Sequence, residues 1–402
     1  MKTFDIREVR CLLFSIFFLF SIGGTQVCIG AELTCEDLAA LKFQKVVIDS
    51  AEIIEGSDLL PQHCKISGFI DNTIGFEVNL PTKSEWNSKL LMMGGGAYAG
   101  SIPDQSQGLL RGYATTGTDT GHQASAFDAS WALNDPKALI NHSYRSLHLT
   151  AATAKAIIAA YYDAPAQYAY FMGCSGGGRQ AAILAQRYPK DFDGVIAGAP
   201  ALNITGFHLA WVYNQQAMFP DPNIFDTPVL PVEKIQELYD AVLDKCDDID
   251  GLADGLVEDP RNCAFDPEID CPDCFTTDQL EVIHRIYNGP SNSKGQIFNG
   301  YSYGTIPSEM NLWMSYLPIT AYPNLQYNFG TQFLRYFVYN DPEYTIYDFN
   351  FEKDVPRTYK VAAVINALQA NLRKFKNRGG KMIMYHGWSD GAPPPLMATQ
   401  YY

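Results

Sequence analysis

Apolar residues along this chain fall into short blocks of two kinds. Lys89-Leu-Leu-Met-Met93 is a compact apolar run that stops at Gly94-Gly-Gly96, the pattern of a buried strand ending in a glycine loop. Tyr113–Asp119, Tyr168–Met172, Gly194–Ala197 and Lys381–Tyr385 read the same way. Between them His148–Tyr162, Arg179–Tyr188 and Ala362–Phe375 carry Ala, Ile and Leu at helical spacing. Strands alternating with helices predict an α/β fold, a mostly parallel sheet with helices on both faces. The stretch from Leu33 to about Leu80 reads as short strands and turns. From about Thr205 to Val361 the alternation breaks. That segment holds four cysteines, an acidic loop and a dense aromatic stretch between Tyr301 and Phe351, and it reads as an inserted cap.

Composition adds exclusions. The chain has 402 residues, 47% of them apolar and 18% charged, with a net charge of −15. A nucleic-acid partner is excluded, because phosphate binding needs a concentrated basic surface. At the start, Lys2, Arg7 and Arg10 precede an apolar run from Cys11 to Ile22, and Gly30-Ala31 offers small residues for cleavage. This predicts a signal peptide over 1–31, since a run of twelve residues falls short of the roughly 20 that span a bilayer. No membrane contact is expected after cleavage, and the protein is expected to be secreted or periplasmic. Seven of the nine cysteines remain beyond residue 31. An odd number in an oxidising compartment leaves one without a partner. Cys35 with Cys64 forms an expected clip. Cys271-Pro-Asp-Cys274 has no second ligand pair for zinc and is expected to be a small disulfide.

Gly173-Cys174-Ser175-Gly176-Gly177 matches G-x-S-x-G between an expected strand and an expected helix. A turn this tight leaves no room for side chains beside the serine, and it pushes the Ser175 hydroxyl out at the carboxyl edge of the sheet. The helix that follows aims backbone N–H groups at the same place. Gly176 then supplies one oxyanion donor, with Gly95 and Gly96 of the earlier glycine loop as the expected second. His386-Gly-Trp-Ser-Asp390 follows the last strand. Asp390 stands where the acid of a Ser…Asp…His order is found, to orient an imidazole.

Together these residues resemble the tannase and feruloyl esterase family, which includes mono(hydroxyethyl) terephthalate hydrolase. The resemblance rests on Gly112–His122, Tyr144-Arg-Ser-Leu-His148, Gly173–Gln180, Arg187–Gly194, Ala197-Gly-Ala-Pro200 and Tyr385–Asp390, and it covers nearly the whole chain after residue 31. It implies an α/β-hydrolase sheet with an inserted cap. The catalytic domain would span 32–204 and 362–402, and the cap 205–361. It also implies hydrolysis of feruloyl- or galloyl-type aromatic esters by Ser, Asp and His. In the family a disulfide ties the cysteine beside the serine to one beside the histidine.

Two departures follow. Position 176, threonine or larger in the family, is glycine here. The family's His-Cys pair lies some tens of residues past the aspartate motif, whereas this chain stops twelve residues after Asp390. The resemblance therefore puts the histidine beyond Tyr402 and leaves Cys174 unpaired. His122, His148, His208 and His284 precede Asp390, contrary to the expected order, and His386 is too close to Asp390 to bridge to Ser175. Weak or absent activity is expected. The alternatives are a silent protein that binds aromatic ligands and a non-functional gene fragment.

Cys246–Cys263 encloses an acidic loop in which Asp247, Asp250 and Asp254 offer carboxylates and Gly251 and Gly255 permit turns. Flexible oxygen-rich loops of this kind suit calcium. An EF-hand register fails, with Ala253 and Asp259 where that motif needs glycine and glutamate. The family resemblance implies a structural calcium held by these three aspartates with the backbone oxygens of Leu252 and Leu256, inside a Cys246–Cys263 bridge. In the cap, Trp313, Tyr316, Tyr322, Tyr327, Phe329, Phe333, Tyr336, Phe337 and Tyr339 are expected to be mostly core, with some able to stack on a small aromatic ester. Asn141 and Asn203 open glycosylation sequons.

Overall fold

The computed structural model describes residues 32–315 and 323–402. The expected signal peptide, Tyr316 and Tyr322 lie outside them. Ten strands are present among the described residues: β1 (Val46–Ile54), β2 (His63–Ile70), β3 (Ile74–Pro81), β4 (Lys89–Met93), β5 (Ala114–Thr118), β6 (Tyr168–Cys174), β7 (Gly194–Gly198), the two-residue pair β8 (Ser291–Asn292) and β9 (Gly295–Gln296), and β10 (Lys381–Tyr385). Eight of them form one sheet in the order β1-β2-β3-β5-β4-β6-β7-β10. β1, β2, β3 and β5 pair antiparallel, and β5, β4, β6, β7 and β10 pair parallel. The sheet is thus mixed. The Leu33–Leu80 stretch makes an antiparallel meander, with Cys35–Cys64 clamping the turn before it to β2.

Register positions the site. Met93 pairs with Met172, Cys174 with Gly198, and Gly198 with Tyr385. The carboxyl ends of β4, β6, β7 and β10 therefore finish side by side, at the edge where open α/β sheets hold their ligands. Helices α1 (Ser146–Tyr162) and α2 (Gly176–Arg187) follow the expected spacing, with α2 starting at Gly176 because the bend at Ser175 feeds straight into it.

The expected helix over Ala362–Phe375 is broken. Two short helices run over Tyr359–Ile365 and Arg373–Asn377, and Asn366 leaves the first in an extended conformation. Ala367 N–H donates to Leu202 O at 2.8 Å, and the Asn366 side chain donates to Asn203 Oδ1 and Thr205 Oγ1 at 2.9 Å each. These tertiary bonds outweigh helix propensity.

The segment read as a cap contributes α3 (Ile204–Met218), α4 (Val232–Cys246), α5 (Thr277–Asn288), α6 (Pro307–Met314) and α7 (Leu325–Gln332). Its aromatic part does not stand apart. Phe329, Phe333, Phe337 and Phe349 join the same buried cluster as the sheet residues Phe76, Phe171 and Val195. A second cluster of Leu238, Val242, Ile283, Ile286, Tyr301 and Met310 fills the space between α4, α5 and α6.

The three expected disulfides are formed, and among the described residues Cys174 is the free, exposed cysteine. No described helix is long and apolar enough to cross a membrane. The two sequon asparagines do structural work: Asn141 is buried and accepts from Arg145, and Asn203 caps α3 through Gly206 N–H. Among the described residues β10 pairs on one side, with β7. Ile383 and Tyr385 are 60% and 57% exposed, beside a cavity of about 310 Å³ lined by Leu91, Tyr113, Tyr170 and Ile196.

Candidate active site

Ser175 sits between β6 and α2 with φ 57° and ψ −117°. A left-handed φ at a non-glycine residue costs about 1–3 kcal/mol and persists only where its surroundings hold it. Here three main-chain bonds do so. Ser175 N–H donates to Gly198 O at 3.0 Å, and Ser175 O accepts from Arg179 N–H at 3.0 Å and Ala201 N–H at 3.1 Å. The side chain faces a pocket of about 50 Å³ walled by Tyr98, Ile204, Phe207, Trp211, Trp313 and Phe329. His142 and His208 also line it.

The glycine loop expected to supply an oxyanion donor is engaged in part within the protein. Gly95 N–H is spent on Gln180 Oε1 at 3.1 Å, so it is not free to receive an oxyanion. The loop turns instead at Ala97, φ 49°, which approaches Gly176 so closely that a Cβ there would lie 3.2 Å from Ala97 N and O. A side chain at 176 would therefore press on this loop by a few tenths of an ångström. Ala97 lines the pocket with Ser175 and Gly176, whereas Gly96 makes its visible bond through its carbonyl, to Ala99 N–H. Only position, directly after the three glycines, signals Ala97 in the sequence.

Asp390 is fixed by its own loop. Oδ1 accepts Ala392 N–H at 2.9 Å, and Oδ2 lies 3.2 Å from His386 Nε2, which also donates to Pro393 O at 2.9 Å. The Cys174 thiol is pushed up by burial and then by the Asp390 charge.

No imidazole among the described residues is hydrogen-bonded to Ser175 Oγ. His208 is held by Ile204 O and Tyr98 Oη and His122 by Tyr98 O; burial drives their pKa values down to about 3 and about 4. His142, which the sequence offers only as the middle of a sequon, bonds Thr120 Oγ1 and is held well below its usual pKa by burial and Arg179. His148 pairs with Asp191 and His284 with Glu268, both away from the pocket. Arg179, 1% exposed, gives its guanidinium to the carbonyls of Ser143 and Ile365 and so ties α2 to the pocket floor.

In the acidic loop, Asp247 accepts from the N–H groups of Asp254, Gly255 and Leu256. Asp250 accepts from Leu252 N–H and Asp254 from Leu256 N–H. The carboxylates are thus turned to the backbone. No three acidic, imidazole or thiol groups among the described residues converge on a metal position.

A family model described as tannase and feruloyl esterase matches residues 61–402. An uncharacterized esterase of Xanthomonas campestris pv. campestris is 34% identical, over 96% of this chain and 72% of its own length. Mono(2-hydroxyethyl) terephthalate hydrolase of Piscinibacter sakaiensis is 29% identical, over 88% of this chain and 71% of its own. The crystal structure of feruloyl esterase B from Aspergillus oryzae superposes with a TM-score of 0.78 at 22% identity, over 92% of this chain and 77% of that one. The sheet and its helices are those of an α/β-hydrolase.

Proposed function

Because the chain belongs to the tannase and feruloyl esterase family, we propose that it is a serine-type carboxylic ester hydrolase for esters of aromatic acids. Ser175 is the nucleophile, Asp390 the acid that orients a histidine base, and the N–H groups of Gly176 and Ala97 the oxyanion donors, with Gly96 beside them. The observation that carries this reading is Ser175 held in a strained bend, facing an aromatic-walled pocket. In the reaction Ser175 Oγ attacks the ester carbonyl, its proton passes to the base, and the carbonyl oxygen takes the charge toward Gly176. The alcohol leaves as it regains that proton, and water releases the acid from the acyl-serine. The narrow pocket has no arginine or lysine in its lining, and its two imidazoles are neutral, so the acyl group it favours is flat and uncharged.

With no imidazole among the described residues bonded to Ser175, we propose that this chain alone binds aromatic esters but turns them over near the background rate. In buffer, an aromatic methyl ester is expected to be cleaved no faster than without protein. Free imidazole added at tens of millimolar should restore measurable cleavage, and Ser175→Ala should remove that gain. Fast Ser175-dependent cleavage without imidazole would overturn the deficit; imidazole without effect would overturn the nucleophile. The three disulfides support an exported protein, since such bonds persist in oxidising compartments.

We also propose calcium as a structural ligand of the 247–256 loop. The donor set suits it in kind, and Cys246–Cys263 closes the loop, but Asp247 would have to exchange backbone N–H groups for the ion. Millimolar calcium is expected to raise the melting temperature by about 1–2 °C, the shift of about 1 kcal/mol in a chain of this size. Asp250→Ala should abolish the rise; a melting curve indifferent to calcium and to a chelator would count against the site.

A further inference from the structure

We infer that the Tyr301 hydroxyl is the positioning group of the loop that carries Asp390, tying the pocket wall to the main chain two residues beyond that carboxylate. This rests on Asp390 acting as proposed above. Tyr301 is 3% exposed. Its hydroxyl accepts from Trp211 Nε1 at 2.8 Å and Gln326 Nε2 at 3.1 Å, and donates to Ala392 O at 2.7 Å. The directions are fixed by chemistry, because an indole and an amide nitrogen can only donate here and a carbonyl can only accept. The hydroxyl proton is therefore committed to Ala392. The N–H of that same residue donates to Asp390 Oδ1.

Behind the hydroxyl lies a rigid support. Gln326, fully buried, has its Oε1 within 3.4 Å of both Asn214 Nδ2 and Gln215 Nε2, and Asn324 Nδ2 donates to Gln215 Oε1 at 2.7 Å. This amide chain spans α3 and α7, and Trp211 itself forms part of the pocket wall. The other links between the loop and the cap are weaker. Ser389 Oγ reaches Gly304 O at 3.3 Å, and an exposed Arg261 stacks over Trp388 at 5.2 Å. Buried hydrogen-bond networks hold a geometry more firmly than exposed contacts do.

Cys174 offers a readout that needs no turnover, since its thiol feels the Asp390 charge after burial. Asp390→Asn is expected to speed alkylation of Cys174 by iodoacetamide at pH 7.5, followed by peptide mapping, about threefold. Tyr301→Phe should give a gain of about twofold, because a released carboxylate no longer sits beside the thiol. It should add nothing in the Asp390→Asn background. An unaltered rate in a folded Tyr301→Phe variant, or a gain that persists without the Asp390 charge, would overturn the proposal. If Tyr301→Phe does not fold, hydrogen exchange on the unmodified chain decides: the Ala392 amide should be as protected as the core of α3, and fast exchange there would overturn it. Failure of the imidazole experiment would leave these outcomes untouched, so the two readings fall separately.

Discussion

Gly178→Ala is expected to destabilise the protein by about 3 kcal/mol or more, the range of severe overpacking. A Cβ at this position would stand 2.3 Å from Gly198 O and 2.8 Å from Pro200 Cα, both backbone atoms. Neither can give way. Gly198 O already receives Ser175 N–H, and Gly198 is paired with both Cys174 and Tyr385 in the sheet. The strain would be relieved only by lifting α2 off β7, which takes Ser175 with it. Urea unfolding of the variant should show a clearly lower midpoint, and much of the protein should be insoluble on expression. Gly387→Ala, where a Cβ meets nothing within 4 Å, should stay within about 0.5 kcal/mol of the parent. Equal midpoints for the two variants would contradict the packing described.

The second large effect is a loss of stability in acid. His122 and His208 are held neutral by burial, with pKa values of about 4 and about 3. In the unfolded chain both titrate near 6.5. Below that pH the unfolded state binds protons that the folded state refuses, so stability falls as the pH drops from 6.5 to 4. Each histidine contributes a loss of about 3 kcal/mol over that window. Fully buried His142 acts in the same direction. Asp119 opposes them. Burial raises its carboxyl to about 6 although it accepts N–H from Gly121 and Gly75, so protonation on acidifying favours the folded state by about 3 kcal/mol. The net loss between pH 7 and pH 4 is on the order of 4 kcal/mol. Denaturant midpoints at the two pH values measure it, and a protein more stable at pH 4 than at pH 7 would contradict the assignment of neutral imidazoles.

Much of the sheet could be read from the chain because apolar runs ending at glycine have few other solutions. Lys381–Tyr385 and Lys89–Met93 fall where the pattern puts them. The breaks came where distant groups decide. Asn366 ends its helix because its amide serves Asn203 and Thr205, more than 160 positions away in sequence. The antiparallel start of the sheet was hidden because the Leu33–Leu80 pattern does not say which strand it joins. At the site, G-x-S-x-G fixes Ser175 by its own local sterics, and the Ser175 bend is where the motif puts it. Gly95 is different. Its availability depends on Gln180, a residue of α2 that reaches back across the turn. Ala97 and Tyr301 carry no motif; only packing brings them to their places.

β10 closes one side of the sheet with its outward N–H and C=O groups unmatched among the described residues, and Ile383 and Tyr385 flank them in the open. A rim of this kind is a template on which any extended peptide can lay itself down. Two molecules meeting rim to rim would merge their sheets, with Lys381 as the one cation on that strand to repel the approach. Self-association along this rim, where it is left open, is therefore expected to grow with protein concentration.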